Sequence, residues 1–160
     1  MNVEEIVFPE LRAAGVRRLG AYSEVAGETF GRLFSWASRN AVFNDSSLVI
    51  GVYYDCPETT PPDKCRMDAC VTLSEGQNPP LEDGIAIQTL PGGLCASRLC
   101  NVYNNDFKGA WKEFDRWLAE HNTIRDQRPC YEIYYGPKAC THPLKKWVLD
   151  IVIPLKQHII

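Results

Sequence analysis

The chain has 160 residues, of which 45% are hydrophobic and 23% charged, with a formal net charge of −3 and a pI near 5.6. That balance belongs to one globular domain, residues 1–160, with a substantial core, and it excludes the basic footprint of a nucleic-acid binder. No run reads as a membrane span, and "MNVEEIVFPEL" lacks the basic start and continuous apolar stretch of a secretory signal, so a cytoplasmic protein with no membrane partner is expected.

In chain order, "LRAAGVRRLG" reads as the first strand, bounded by Gly20. Apolar residues at Ala26, Phe30, Leu33 and Ala37 then have the spacing of one helical face, which predicts a helix over about 24–39 with Ser23 as its N-cap. Two strands follow, "SLVIGVYY" and "CRMDACVTL". After a polar stretch come "GIAIQTL", a turn at "PGG", and "LCASRLCNV". Phe107, Trp111, Phe114 and Leu118 predict a second helix over 107–121, capped by Asp106, and "CYEIYY" and "WVLDIVIPL" read as the closing strands. The aromatic residues of both helix faces, Trp117 included, are read as core, with an edge of Trp111 within reach of a groove.

The two runs of elements are copies of each other. At an offset of 81, Tyr53 and Tyr54 fall on Tyr134 and Tyr135, and Phe30, Leu33 and Trp36 fall on Trp111, Phe114 and Trp117; at 80, Arg18-Leu19 meets Arg98-Leu99; at 82, Asp68 meets Asp150. A register held across helix and strands makes two units, about 1–80 and 81–160, each ordered β, α, β, β. Tandem βαββ repeats predict an α+β fold: an antiparallel sheet, both helices on one face, and a groove along a pseudo-twofold axis.

Seven cysteines occur, an odd number with no CxxC pair, and Cys65, Cys70, Cys95 and Cys100 lie in strand-like segments where cysteine serves as a small hydrophobe. His121, His142 and His158 make no ligand spacing with them, and Cys140 with His142 supplies half a site, so no metal is expected. No phosphate loop or nucleophile signature appears, and no cofactor is expected.

One difference between the copies carries chemistry. "VIGVYY" and "CYEIYY" match except that Gly51 stands where the second copy has Glu132. Strand alternation puts Ile50, Val52 and Tyr54, with Tyr131, Ile133 and Tyr135, on one face, expected to meet the helices. Gly51, Tyr53, Glu132 and Tyr134 would then face away from them, toward the groove.

The combination "YYDCPETTPPDKCRMDA", "NDFKGAW" and "PCYEIYYGP" resembles the GyrI-like small-molecule-binding domain family, which includes DNA gyrase inhibitors of the SbmC type and the effector-binding domains of AraC-type and BmrR-like regulators. The likeness runs from the Arg18 strand to "DIVIPL". It implies a concave ligand cleft with a glutamate facing the ligand, and the position that matches is Glu132. Both repeats together consume the chain, so a stand-alone member without a DNA-binding domain is expected.

A carboxylate among tyrosines loses solvation, which should raise its pKa, and a flat, amphipathic cation would reverse that by pairing with it while lying on aromatic faces. The expected ligand set is Glu132, Tyr134, Tyr53 and Trp111, with Gly51 leaving room. Three function classes stand open: a module that sequesters or senses hydrophobic or cationic organic compounds; a hydrolase opening strained, cyclopropane-type genotoxins, with Glu132 as acid or base and Tyr134 or Tyr53 as hydrogen-bond donor; and a modulator with DNA gyrase as its partner.

Overall fold

The computed structural model describes residues 1–135 and 146–159, and Cys140 and His142 lie outside the described residues. In chain order the elements are β1 (Glu4–Phe8), β2 (Leu11–Leu19), α1 (Tyr22–Arg39), β3 (Val49–Tyr53), β4 (Arg66–Thr72), β5 (Ile85–Leu90), β6 (Gly93–Tyr103), α2 (Phe107–Glu120), β7 (Cys130–Tyr134) and β8 (Lys146–Pro154), with a 3-10 turn at Pro62–Lys64. The fold is α+β, as the repeat predicts. Asp106 caps α2 by accepting from the Gly109 N–H at 3.0 Å. Ser23 is not the cap of α1: the helix begins at Tyr22, two residues before the expected start, after Ala21, whose side chain makes no cap bond, and Glu24 in its first turn and Arg39 in its last suit the helix dipole instead.

The eight strands of the described residues form one antiparallel sheet in the order β1-β6-β8-β7-β3-β4-β2-β5. Exchanging each strand for its counterpart in the other half and reading backwards returns the same order, which is the pseudo-twofold. Each half also lends its first strand to the other: β1 pairs with β6, and β5 pairs with β2. The axis passes between β3 and β7, where Gly51 is paired with Glu132. Because the repeat maps residue 51 onto 132, these two positions are each other's counterpart and each other's neighbour.

Strand pairing also refines the repeat. Arg17 lies opposite Asp68 and Leu99 opposite Asp150, so β2 maps onto β6 at an offset of 82, not the 80 that the matching Arg-Leu pairs suggest. The offset of 80 would place each residue on the right face but two positions along the strand.

Two cores sandwich the sheet. Beneath the helices, Leu33, Trp36 and Ala37 of α1 and Phe114 and Leu118 of α2 pack on Val16, Val49, Ala69, Val71, Tyr134, Leu149, Ile151 and Ile153. Trp36 is fully buried and its indole N–H donates to the Pro80 carbonyl at 2.9 Å. On the helix-free face, Ile50, Val52, Tyr131, Ile133, Cys70, Cys95 and Val152 form a second cluster with Phe8 and Leu90. The sheet curls over this cluster where the exchanged strands turn back: the Phe8 ring packs tilted against Tyr131, 5.2 Å between centroids, and the Tyr131 hydroxyl donates to the Pro91 carbonyl at 2.8 Å. A Cβ at Gly92 would come within 2.3 Å of the Phe8 carbonyl oxygen, so the crossing needs glycine there.

This second core inverts the expected assignment of faces. Ile50, Val52, Tyr131 and Ile133 do not meet the helices; they fill the curl of the helix-free side. Gly51, Tyr53, Glu132 and Tyr134 lie beneath the helices instead. The alternation itself holds, but both sides of the sheet are buried, so hydrophobicity alone could not say which side carries helices.

Candidate functional site

Glu132 comes to the centre of the sheet because β7 is short and lies between β3 and β8, under the strip where α1 and α2 approach from either side. Its side chain is enclosed, 4% exposed. Three neutral donors reach the carboxylate. The Trp111 indole N–H donates to Oε1 at 3.2 Å, the Tyr134 hydroxyl donates to Oε2 at 2.7 Å, and the Tyr53 hydroxyl also hydrogen-bonds to it. Among the described residues no lysine, arginine or histidine pairs with it.

Burial raises the Glu132 pKa above the ordinary carboxylate value, and the bonds from Tyr134, Tyr53 and Trp111 offset this only in part. Tyr53 is pushed well above the ordinary phenol value, by burial first and then by the negative charge beside it. The site therefore holds a carboxylate with hydrogen bonds but, among the described residues, no countercharge, the arrangement that favours either a proton or an incoming cation.

The surrounding rings obey the pseudo-twofold. Tyr53 and Tyr134 are counterparts, as are Phe30 and Trp111 at the same offset. Tyr53 meets Trp111 edge-on at 6.0 Å and Tyr134 meets Phe30 edge-on at 6.0 Å, so each tyrosine is paired with the ring of a helix. Trp147 extends the wall, 5.6 Å from Tyr134. Phe30 and Trp147 join the site beyond the residues expected there; Phe30 is the repeat partner of Trp111, and the repeat alone points to it.

Gly51 does not face an empty wall. A Cβ there would lie 3.0 Å from the Tyr53 ring and hydroxyl and 3.2 Å from Phe30, so the space the missing side chain leaves is taken by those two rings. The glycine lets Tyr53 fold back across its own strand and reach Glu132. The residues of the "YYD…KCRMD" stretch act at one remove: the Asp55 carboxylate accepts the Arg66 backbone N–H at 2.8 Å and its Nε at 3.0 Å, and Tyr22, edge-on to Tyr53 at 4.9 Å, places its hydroxyl 3.0 Å from the Asp55 carbonyl. They fix the end of β3 and with it Tyr53. Trp117 lies apart from the site, stacked on His121 at 3.7 Å.

Among the described residues no group of three His, Cys, Asp or Glu side chains could hold a metal ion, and no described helix is long and apolar enough to cross a membrane.

A family model described as a GyrI-like small molecule binding domain matches residues 1–156. A DNA gyrase inhibitor 1 of Dickeya dadantii (strain 3937) is 30% identical over 157 residues, covering 97% of this chain and 98% of its own. Among solved structures, the C-terminal domain of EcmrR superposes with a TM-score of 0.73 at 13% identity, over 98% of each chain. SAV2435 bound to tetraphenylphosphonium superposes with a TM-score of 0.68 at 12% identity, over 98% of this chain and 94% of that one.

Proposed function

The chain belongs to the GyrI-like small-molecule-binding domain family, and from that premise we propose that it captures bulky, apolar organic cations on the Glu132 carboxylate. The observation that carries this reading is an enclosed carboxylate with neutral donors and no countercharge among the described residues, walled by Tyr53, Trp111, Tyr134 and Phe30. A cation entering there supplies the missing charge, and the rings supply contact area and cation–π attraction. The side chains that cover the carboxylate form the gate. Trp111 and Tyr53 are half-buried, so a guest reaches Glu132 by displacing their rings and replacing their hydrogen bonds with its own charge. The bound form of a relative of the same fold, SAV2435 with tetraphenylphosphonium, supports a large aromatic cation as the first ligand to try.

The test compares tetraphenylphosphonium with uncharged triphenylphosphine oxide by tryptophan-fluorescence quenching. Glu132→Gln is expected to weaken the cation by about tenfold or more while leaving the neutral compound nearly unchanged. Equal losses for both overturn the reading. Affinity for the cation should also fall as pH drops through the raised Glu132 pKa, because protonation removes the charge that the guest pairs with, whereas affinity for the neutral compound stays flat.

A second reading, modulation of DNA gyrase, is favoured by the name of the Dickeya dadantii relative. Inhibition of supercoiling by purified gyrase in the presence of the purified protein tests it. Mass spectrometry of the recovered ligand separates capture from hydrolysis, since turnover would leave a product heavier by one water.

A further inference from the structure

The pseudo-twofold supplies a template for a second site, on the helix-free face at the opposite side of the sheet from Glu132. Tyr54 and Asp68 in the first half have Tyr135 and Asp150 as counterparts, and in both halves the tyrosine hydroxyl donates to the aspartate, Tyr54 to Asp68 Oδ2 at 2.7 Å and Tyr135 to Asp150 Oδ2. From there the halves diverge.

The first pair is filled by the protein's own guanidinium. Arg17 donates to Asp68 through Nε at 2.8 Å and Nη2 at 3.1 Å, and its Cζ lies 4.6 Å from the Tyr54 ring centroid. Gln88 adds a donor to Asp68 at 3.1 Å, and the Arg66 Cζ lies 5.4 Å from the same ring. Asp68 is 2% exposed as a result. In the second half the strand register puts Leu99 at the place of Arg17, Val148 at that of Arg66 and Ile6 at that of Gln88. Tyr135 is then the one donor to Asp150 among the described residues, and no described cation pairs with it. Leu99 and Tyr135 are 62% and 58% exposed.

We infer that Asp150, Tyr135 and Leu99 form a docking point for an arginine side chain presented by a protein partner. The guanidinium would take the place that Arg17 holds in the other half, forked onto Asp150 and stacked on the Tyr135 ring, while its methylene stem covers Leu99. A planar fork suits this geometry and a lysine ammonium does not, since an ammonium has no flat face for the ring and no paired donors for the carboxylate. A protein source is favoured over a small guanidine because exposed leucine and tyrosine beside a carboxylate gain most from a partner that covers them together. This site is independent of Glu132, which lies on the other face.

The experiment is an NMR titration of the isotope-labelled full chain with N-acetyl-arginine amide and, separately, N-acetyl-lysine amide. Saturable shifts centred on Leu99, Tyr135 and Asp150, with arginine the tighter ligand, are expected. Asp150→Asn should weaken arginine by about tenfold. Leu99→Arg should rebuild the first-half arrangement, raise the melting temperature and silence the titration by filling the site from within. Glu132→Gln should change none of this. Equal binding of arginine and lysine, shifts spread away from these three residues, or a Leu99→Arg variant that still titrates like the parent would each overturn the inference.

Discussion

β3 and β7 are one strand written twice and laid side by side, yet one carries Gly51 and the other Glu132 at the point where the axis passes. Away from the axis the halves can repeat each other freely, and Tyr53 and Tyr134 do. On the axis they cannot, because the two counterparts are direct cross-strand neighbours and compete for the same space and the same donors. Two carboxylates there would stand within about 5 Å of each other. A twofold scaffold can therefore hold one central charge only by breaking its own symmetry.

The largest expected effect comes from restoring the symmetry. Gly51→Glu should cost about 3–5 kcal/mol at neutral pH, from like charges buried together and from the displaced Tyr53 ring. Part of that loss should return on acidification, since protonating either carboxyl removes the repulsion. Thermal melts across pH check the sign. Exchanging the two residues, Gly51→Glu with Glu132→Gly, sharpens the comparison: most of the loss should be recovered, but not all, because Phe30 stands where Trp111 would be needed and has no donor to offer. Adding Phe30→Trp should recover more.

Of similar size at its upper end is the contrast between the repeat partners Trp36 and Trp117. Trp36 is fully buried and hydrogen-bonded, so Trp36→Ala should cost about 3–5 kcal/mol in denaturant unfolding. Trp117 is half-buried against His121, and Trp117→Ala should cost about 1–2 kcal/mol. Equal losses would mean that the halves share their core more evenly than their burial indicates.

Trp111→Phe, which makes α2 imitate α1 at the axis, should have an effect as small as that of Trp117→Ala, about 1–2 kcal/mol at pH 7–8 from the lost donor to the carboxylate. The missing bond raises the Glu132 pKa further. The stability difference should therefore shrink as pH falls and the carboxyl becomes protonated in both proteins, and NMR of the Glu132 carboxyl should show its midpoint moved upward.

Much of this was legible in the sequence, and the failures have physical causes. The repeat could be read because helix faces and strand alternation preserved it, as in Phe30 with Trp111 and Tyr53 with Tyr134. Glu132 stood out because its counterpart was glycine. β1 was missed because "EEIVF" is a short edge strand with only Ile6 and Phe8 on its inner face, and its partner lies in the other half. That omission led to the inverted faces, since the exchanged strands build the second core that takes up Ile50, Val52, Tyr131 and Ile133. Trp111 as a donor to Glu132 was hidden in a helical stripe that also reads as ordinary core; only the folded geometry separates its indole N–H from the buried Phe114 and Leu118.

The exchange of first strands also sets an order on synthesis. Glu4 to Phe8 leave the ribosome early, but the strand they pair with is Gly93–Tyr103, so the nascent chain must carry Ile6, Val7 and Phe8 without a partner until the second half has emerged. Glu4 and Glu5 on one side and Pro9 on the other flank that apolar stretch, a charge pair and a residue that cannot donate to a ladder. Charges and a proline at the ends of a strand disfavour its pairing with other strands, so the same residues that border β1 in the folded sheet lower the risk of its pairing wrongly before β6 exists.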